Sequence, residues 1–331
     1  MSGPPAKRKA TTPADEETNG HRKFTPTVKA YKSEVFLNSR DARPIRILCE
    51  YQDTQTRLRE NGIHATILFF GSARCSSYED HDAQLKDMEE QKRKAAAEEE
   101  RAELTAKIER HHKLRWICEY MDKTCELARR VTEWANTPEA LAVMRSIMQS
   151  SIDSGDLVDP SLKDKSFTSH SRAPLVISTG GGPGLMEAAN RGASLVPGGR
   201  SIGMGISLPF EPGLNKYVTE ELAFEYHYFF TRKFWMVYPC MGLVCTPGGF
   251  GTLDELFEVL TLKQTRKIKL DIPIVLLGEK YWRGVVNWDA LAEAGTVSQR
   301  DVTQLFFTDD VDQAFDYLRG CLIKLASKTA D

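Results

Sequence analysis

Three apolar runs in this chain each stop at a loop of glycine or other small residues, and a helical pattern follows each loop. The runs are residues 64–70, 175–178 and 241–245. The loops are Gly71-Ser72-Ala73-Arg74, Gly180-Gly181-Gly182-Pro183-Gly184 and Pro247-Gly248-Gly249-Phe250-Gly251-Thr252. A short apolar run without alternation is a strand buried on both faces, and such strands belong to parallel sheets. Parallel neighbours need long crossovers, usually helices. Further strands read at residues 201–208, 272–277 and 305–307, with an extended aromatic stretch at 224–229. Helices read at 185–195, from 232, from 254 to 262, around Tyr281 and Trp282, and at 311–326. The expected fold is α/β, a Rossmann-like doubly wound parallel sheet with helices on both faces. Ligands in such folds bind beyond the carboxyl ends of the strands, so three loops on that edge would share one crevice.

The rest of the chain modifies this picture without changing it. Residues 1–30 are expected to be a disordered tail, because they are polar and rich in Pro, Thr, Lys and Glu. Lys7-Arg8-Lys9 is a solvated basic cluster or a nuclear-import patch. Residues 31–331 are expected to form a single domain carrying a helical insertion at about 79–135. The stretch from Asp82 to Lys113 is dominated by Glu, Lys, Arg, Gln and Ala. It reads as a long charged helix held by i,i+4 ion pairs, or as an arm reaching another subunit. Residues 153–172 read as a polar surface loop.

Composition narrows the classes. The 331 residues are 41% hydrophobic and carry a formal net charge of -2, which points to neither nucleic acid nor an anionic membrane as partner. There is no apolar run of spanning length and no secretory-type leader, so a cytoplasmic protein is expected. The seven cysteines form no CxxC pair and read as reduced thiols. No HExxH or similar cluster suggests a metal, and no cofactor is expected.

The loop at Pro247 carries the most chemistry. Its glycines let a ligand approach the backbone, and the following helix offers unpaired N–H groups and a positive dipole end. That makes a phosphate cradle of Gly248, Gly249, Gly251 and Thr252. Asp254 and Glu255 read on the first turn of the same helix, beside the bound anion. The glycine loops lack the Gly-Lys-Ser/Thr of a P-loop, and the middle one is not G-x-G-x-x-G. A mononucleotide is therefore expected rather than a dinucleotide. Arg232-Lys233 could clamp a phosphate or offset charge on a leaving group, or be a surface basic pair. Glu187 and Glu211 could accept hydrogen bonds from ribose hydroxyls, or simply be solvated. Thr261 is a further candidate on the helix after the cradle.

At these residues the sequence resembles the LONELY GUY family of phosphoribohydrolases, often labelled lysine decarboxylase-like. The matching motifs are Gly180 to Glu187, Arg232-Lys233 and Pro247 to Glu255. Leu208-Pro209-Phe210-Glu211 and residues 260–265 look like the longer branch of that family. The resemblance implies hydrolysis of the N-glycosidic bond of a nucleoside 5′-monophosphate, giving free base and ribose 5-phosphate. It implies a homo-oligomer, a dimer or dimer-based assembly, with the site near the subunit interface. The catalytic pair maps to Arg232 and Glu255. The expected substrate-binding set is Gly71, Ser72, Gly181, Gly182, Met186, Glu187, Glu211, Lys233, Gly248, Gly249, Phe250, Gly251, Thr252, Leu253, Asp254 and Thr261. The rival reading is a non-catalytic carrier of a nucleotide or molybdenum cofactor. A true lysine decarboxylase is disfavoured, because no lysine sits in a recognisable pyridoxal-phosphate setting.

Overall fold

A computed structural model describes residues 27–153, 173–207 and 213–328. The expected tail falls mostly on residues 1–26, and the expected loop on 154–172. Both lie outside the described residues, as does Glu211. The chain divides into two compact units, Met1–Arg46 and Ile47–Asp331. In the first, Ser33 caps the short helix α1 (Glu34–Leu37) by accepting the Phe36 N–H. Helix α2 (Arg43–Glu60) spans the boundary.

The second unit is built on a seven-stranded parallel sheet. Its strands are β1 (Ala65–Phe70), β2 (Leu175–Thr179), β3 (Ser201–Ile206), β4 (Ala223–Tyr226), β5 (Cys240–Cys245), β6 (Ile274–Leu277) and β7 (Leu305–Thr308). They lie in the order β4-β3-β2-β1-β5-β6-β7, and every neighbouring pair is parallel. The chain runs outward from β1 to one edge, then returns to the other side of β1. The β1/β5 junction is therefore a switch point, the place where open α/β sheets commonly bind ligands. The extended aromatic stretch is shorter than its composition suggests: β4 ends at Tyr226, and Phe229 already opens a helix.

Alternate side chains of each strand point to opposite faces, and both faces are covered. Leu68, Phe70, Ile202, Met204, Leu243 and Leu276 face one cluster. It includes Trp235 of α8 (Phe229–Val237), Leu256 of α9 (Phe250–Gln264), Trp282 of α10 (Glu279–Val285) and Trp288 of α11 (Trp288–Glu293). Ile67, Phe69, Ile177, Val244 and Val275 face the other. There lie Leu127 of α5 (Glu119–Ala135), Met144 of α6 (Pro138–Asp153), Ala189 of α7 (Leu185–Ser194) and Leu318 of the closing helix α12 (Val311–Lys328). This is the doubly wound α/β fold. Cys75, Cys118, Cys240 and Cys245 are buried, Cys49 is exposed, and all seven cysteines are thiols.

The charged insertion is not one long helix. It folds back on itself as α3 (Tyr78–Lys94) and α4 (Glu98–Leu114), joined at Ala95-Ala96-Ala97. The base of this hairpin is tied by His81 and His111. Their rings stack 3.7 Å apart, and each Nε2 lies 2.8–2.9 Å from the other's carbonyl. Arg115 reaches across to Asp82 at 3.0 Å. Only His81 of α3 and Leu104 and Ile108 of α4 are buried. The expected i,i+4 pairing is seen in Lys94–Glu90.

Candidate active site

The three loops meet at the carboxyl ends of β1, β2 and β5, and they are bonded to one another. Ser72 N–H donates to the Pro247 carbonyl at 3.0 Å, and Leu185 N–H donates to the Ser72 carbonyl at 3.1 Å. The packing leaves no room for side chains at the crossings. A Cβ on Gly71 would lie 1.9 Å from Thr246 Oγ1, and one on Gly184 2.3 Å from the Ser72 carbonyl oxygen. Gly181 and Gly184 also hold φ of 72° and 71°, which L side chains rarely adopt.

A buried polar network braces the triple-glycine loop. Thr179 Oγ1 donates to Asn190 Oδ1 at 2.8 Å and accepts the Gly181 N–H at 2.9 Å. Asn215 Nδ2 donates to the carbonyls of Gly181 and Gly182 and to Asn190 Oδ1. Asn190, fully buried on α7, donates to Ser201 Oγ at 3.0 Å. None of Thr179, Asn190 or Asn215 stood out in the sequence. An asparagine in a helix carries no signal of what faces it.

Arg232 lies on α8 and is 8% exposed. Its Nε–H donates to the Met204 carbonyl at 2.7 Å, at the end of β3. Its Nη2 lies against the triple-glycine loop, where a Cβ on Gly180 would meet it at 2.7 Å and Met186 Sδ at 2.9 Å. Its Nη1 is 3.9 Å from Glu255 Oε1. The helix that carries Arg232 is tethered to α2 by Glu50, a residue without a signal in the sequence. Glu50 accepts the His227 N–H at 2.8 Å and the Thr231 hydroxyl at 2.5 Å.

Helix α9 begins at Phe250 with Gly249 as N-cap. Asp254 and Glu255 therefore lie on its second turn, one turn deeper than the sequence suggested. The cap itself is open: nothing lies within 4 Å of a Cβ on Gly249 or Gly251, whereas one on Gly248 would strike Thr252. The first N–H groups of a helix have no partner within it, so an anion can approach them here.

Glu255 is 2% exposed, and its Oε2 has no hydrogen-bond partner among the described residues. Burial pushes its carboxyl up to about 7. Lys233 and Arg232 oppose that shift, while Glu258 and Asp254 add to it. Lys233 bridges Asp254 at 2.8 Å and Glu258 at 2.9 Å. Burial works to lower the pKa of its ammonium group, but the two acids outweigh it and hold it above the ordinary value.

The remaining candidates divide between two levels. Thr252, Arg232 and Glu255 are buried. Lys233, Phe250, Leu253, Asp254 and Thr261 line an open groove of about 600 Å³ along the outer side of α9. Phe250 is 93% exposed there. Glu187 is half-buried on the first turn of α7. Among the described residues, no group of His, Cys, Asp and Glu could hold a metal ion.

Residues 186–318 match the family model described as "Possible lysine decarboxylase". The match supports the resemblance at the level of the family and covers less than half of the chain. It takes in Arg232, Lys233 and the whole loop from Pro247 to Glu255. The Gly71 loop and Gly180 to Gly184 lie before it, and geometry alone joins them to the site. No curated protein matches the chain. No helix among the described residues is long and apolar enough to cross a membrane.

Proposed function

We propose that this protein hydrolyses the N-glycosidic bond of a nucleoside 5′-monophosphate, releasing a free base and ribose 5-phosphate. The family match is consistent with nucleotide phosphoribohydrolase chemistry. The observation that carries the reading is the buried Arg232–Glu255 pair beside an open helix N-terminus. The N–H groups of Gly251 and Thr252 receive the 5′-phosphate, and its binding energy orients the ribose. Cleavage passes through an oxocarbenium-like state, as in glycoside hydrolysis. Glu255, ionised, stabilises that charge or activates water, and Arg232 offsets the negative charge gathering on the departing base. Glu187 and Glu211 are the candidates for the ribose hydroxyls. No cofactor takes part.

The same reading makes the protein a cytoplasmic homo-oligomer. Phe229, Phe230, Phe250 and Phe257 are all exposed on α8 and α9, and such aromatics favour a second subunit over solvent. The test of the reaction is chromatographic. The full chain is incubated with AMP and with N6-isopentenyladenosine monophosphate, and base release is followed. Release from the monophosphates, with little from the matching nucleosides, supports the reading. Tight binding of a monophosphate without turnover overturns it in favour of a carrier.

A further inference from the structure

The far end of α9 borders a second cavity, of about 930 Å³, which shares Phe257 and Thr261 with the groove beside the crevice but holds neither Arg232 nor Glu255 nor the cradle glycines. Its wall is aliphatic, formed by Leu260, Ile268, Leu270, Leu291, Val297 and Val302. Its rim is basic, with Arg266, Arg300 and Lys328. Two acids share the lining, and hydrogen bonds from Ser298 together with the charge of Arg300 hold Asp301 below the ordinary carboxylate range. Asp271 pairs with Lys263 at 3.3 Å, and Asp301 accepts the Ser298 hydroxyl at 2.7 Å and Gln264 Nε2 at 3.4 Å. Lys263 and Lys269 also line the cavity; Arg266, Arg300 and Lys328 are held in no ion pair among the described residues.

The backbone adds an independent observation. Helix α9 closes in a Schellman turn, in which Lys267 N–H donates to the Leu262 carbonyl at 2.9 Å and Arg266 N–H to the Lys263 carbonyl at 3.0 Å. That turn sets Arg266 at φ 56°, the only positive φ of a non-glycine residue among those described. Glycine is the usual occupant of this position, and an L side chain is disfavoured there. The chain nonetheless keeps an arginine whose side chain lines the cavity.

Cations at one rim and branched aliphatic walls are complementary to a molecule with an alkyl body and one anionic head. The aromatic part of the lining is confined to Phe257, 38% exposed, and Trp288. Trp288 is 5% exposed, its ring stacked 5.9 Å from that of Phe257. We propose that this cavity binds an acyl-chain anion, its head held by Arg266 and Arg300 and its chain lying against Leu260, Leu270 and Val302. The head is a carboxylate or a phosphate.

Calorimetric titration of the full chain with decanoate, decyl phosphate and decanol tests this. At least one of the two anions binds one per chain, and decanol binds at least tenfold more weakly. The preference between decanoate and decyl phosphate names the head group. Arg266→Gly weakens the anion at least tenfold while the melting temperature holds or rises, because glycine suits φ 56°. Arg300→Ala gives the same loss independently. Excess AMP leaves the anion's affinity unchanged, whether or not AMP binds the crevice at the other end of α9. The proposal is overturned if neither anion binds below its micellar concentration, or if decanol binds as tightly. Binding that persists in both variants, or displacement by AMP, overturns it equally.

Discussion

Glu255 lies 3.9 Å from a guanidinium and yet keeps its proton up to about pH 7, because burial outweighs both neighbouring cations. Three expectations follow at this residue. In the proposed reaction the ionised form works, so base release should rise with pH and level off above about 7. A rate profile that is flat from pH 5 to 9 would remove Glu255 from that role. Glu255→Gln should lower the rate by several orders of magnitude, on the order of 10³ or more by comparison with other catalytic groups. The same variant should be the more stable protein at alkaline pH. A carboxyl whose folded-state pKa is raised contributes fully below its ordinary value of 4.5, and that contribution is lost as pH rises through about 7. At pH 8 the buried charge costs on the order of 3 kcal/mol. The melting temperature of Glu255→Gln should therefore exceed that of the parent at pH 8 and match it near pH 4.

At the scale of the elements, the glycines of the three loops separate into two kinds. Gly71→Ala drives a methyl group to 1.9 Å from Thr246 Oγ1 and 2.7 Å from Leu185 Cβ. It should cost about 1–3 kcal/mol in denaturant unfolding. Gly249→Ala meets nothing within 4 Å, so stability should fall only by the weaker N-cap of alanine, about 1 kcal/mol or less. Its effect should fall on KM for the monophosphate, since the methyl group stands where a phosphate would approach. The insertion should behave as a separate, weaker element. With so few buried residues in α3 and α4, its amides should exchange with solvent well before those of α5 and α7. Equal protection would contradict that. Most strands and all three loops were legible, because strands covered on both faces read as unbroken apolar runs that glycine punctuates. The turn at Ala95-Ala96-Ala97 was not. Alanine is the best helix former, and the His81–His111 stack is a tertiary contact that propensity cannot show. In the site, the cradle glycines, the Asp254-Glu255 pair and Arg232-Lys233 could be read as candidates, and the choice of Arg232 with Glu255 came from the family resemblance. Glu50, Asn190 and Asn215 could not, since each acts on residues distant in sequence.

At the scale of the whole molecule, Phe250 and Phe257 of α9 line the groove beside the crevice, so in the proposed homo-oligomer assembly and chemistry should be coupled. Phe250→Asp should shift the protein towards monomer in light scattering and lower base release with it. A variant that stays oligomeric would direct the search for the interface elsewhere. The strand order has a consequence of another kind, for how the chain is made. β1 is synthesised first, yet it lies at the centre, between β2 and β5. Ala65 waits for Leu175, and Thr66 for Cys240. While the ribosome makes the residues between, the wholly apolar stretch Ile67-Leu68-Phe69-Phe70 has neither neighbour to pair with. The helical hairpin, whose contacts are local, can form during that wait. A strand that ends as the most protected part of the sheet therefore begins as the part of the nascent chain most in need of cover.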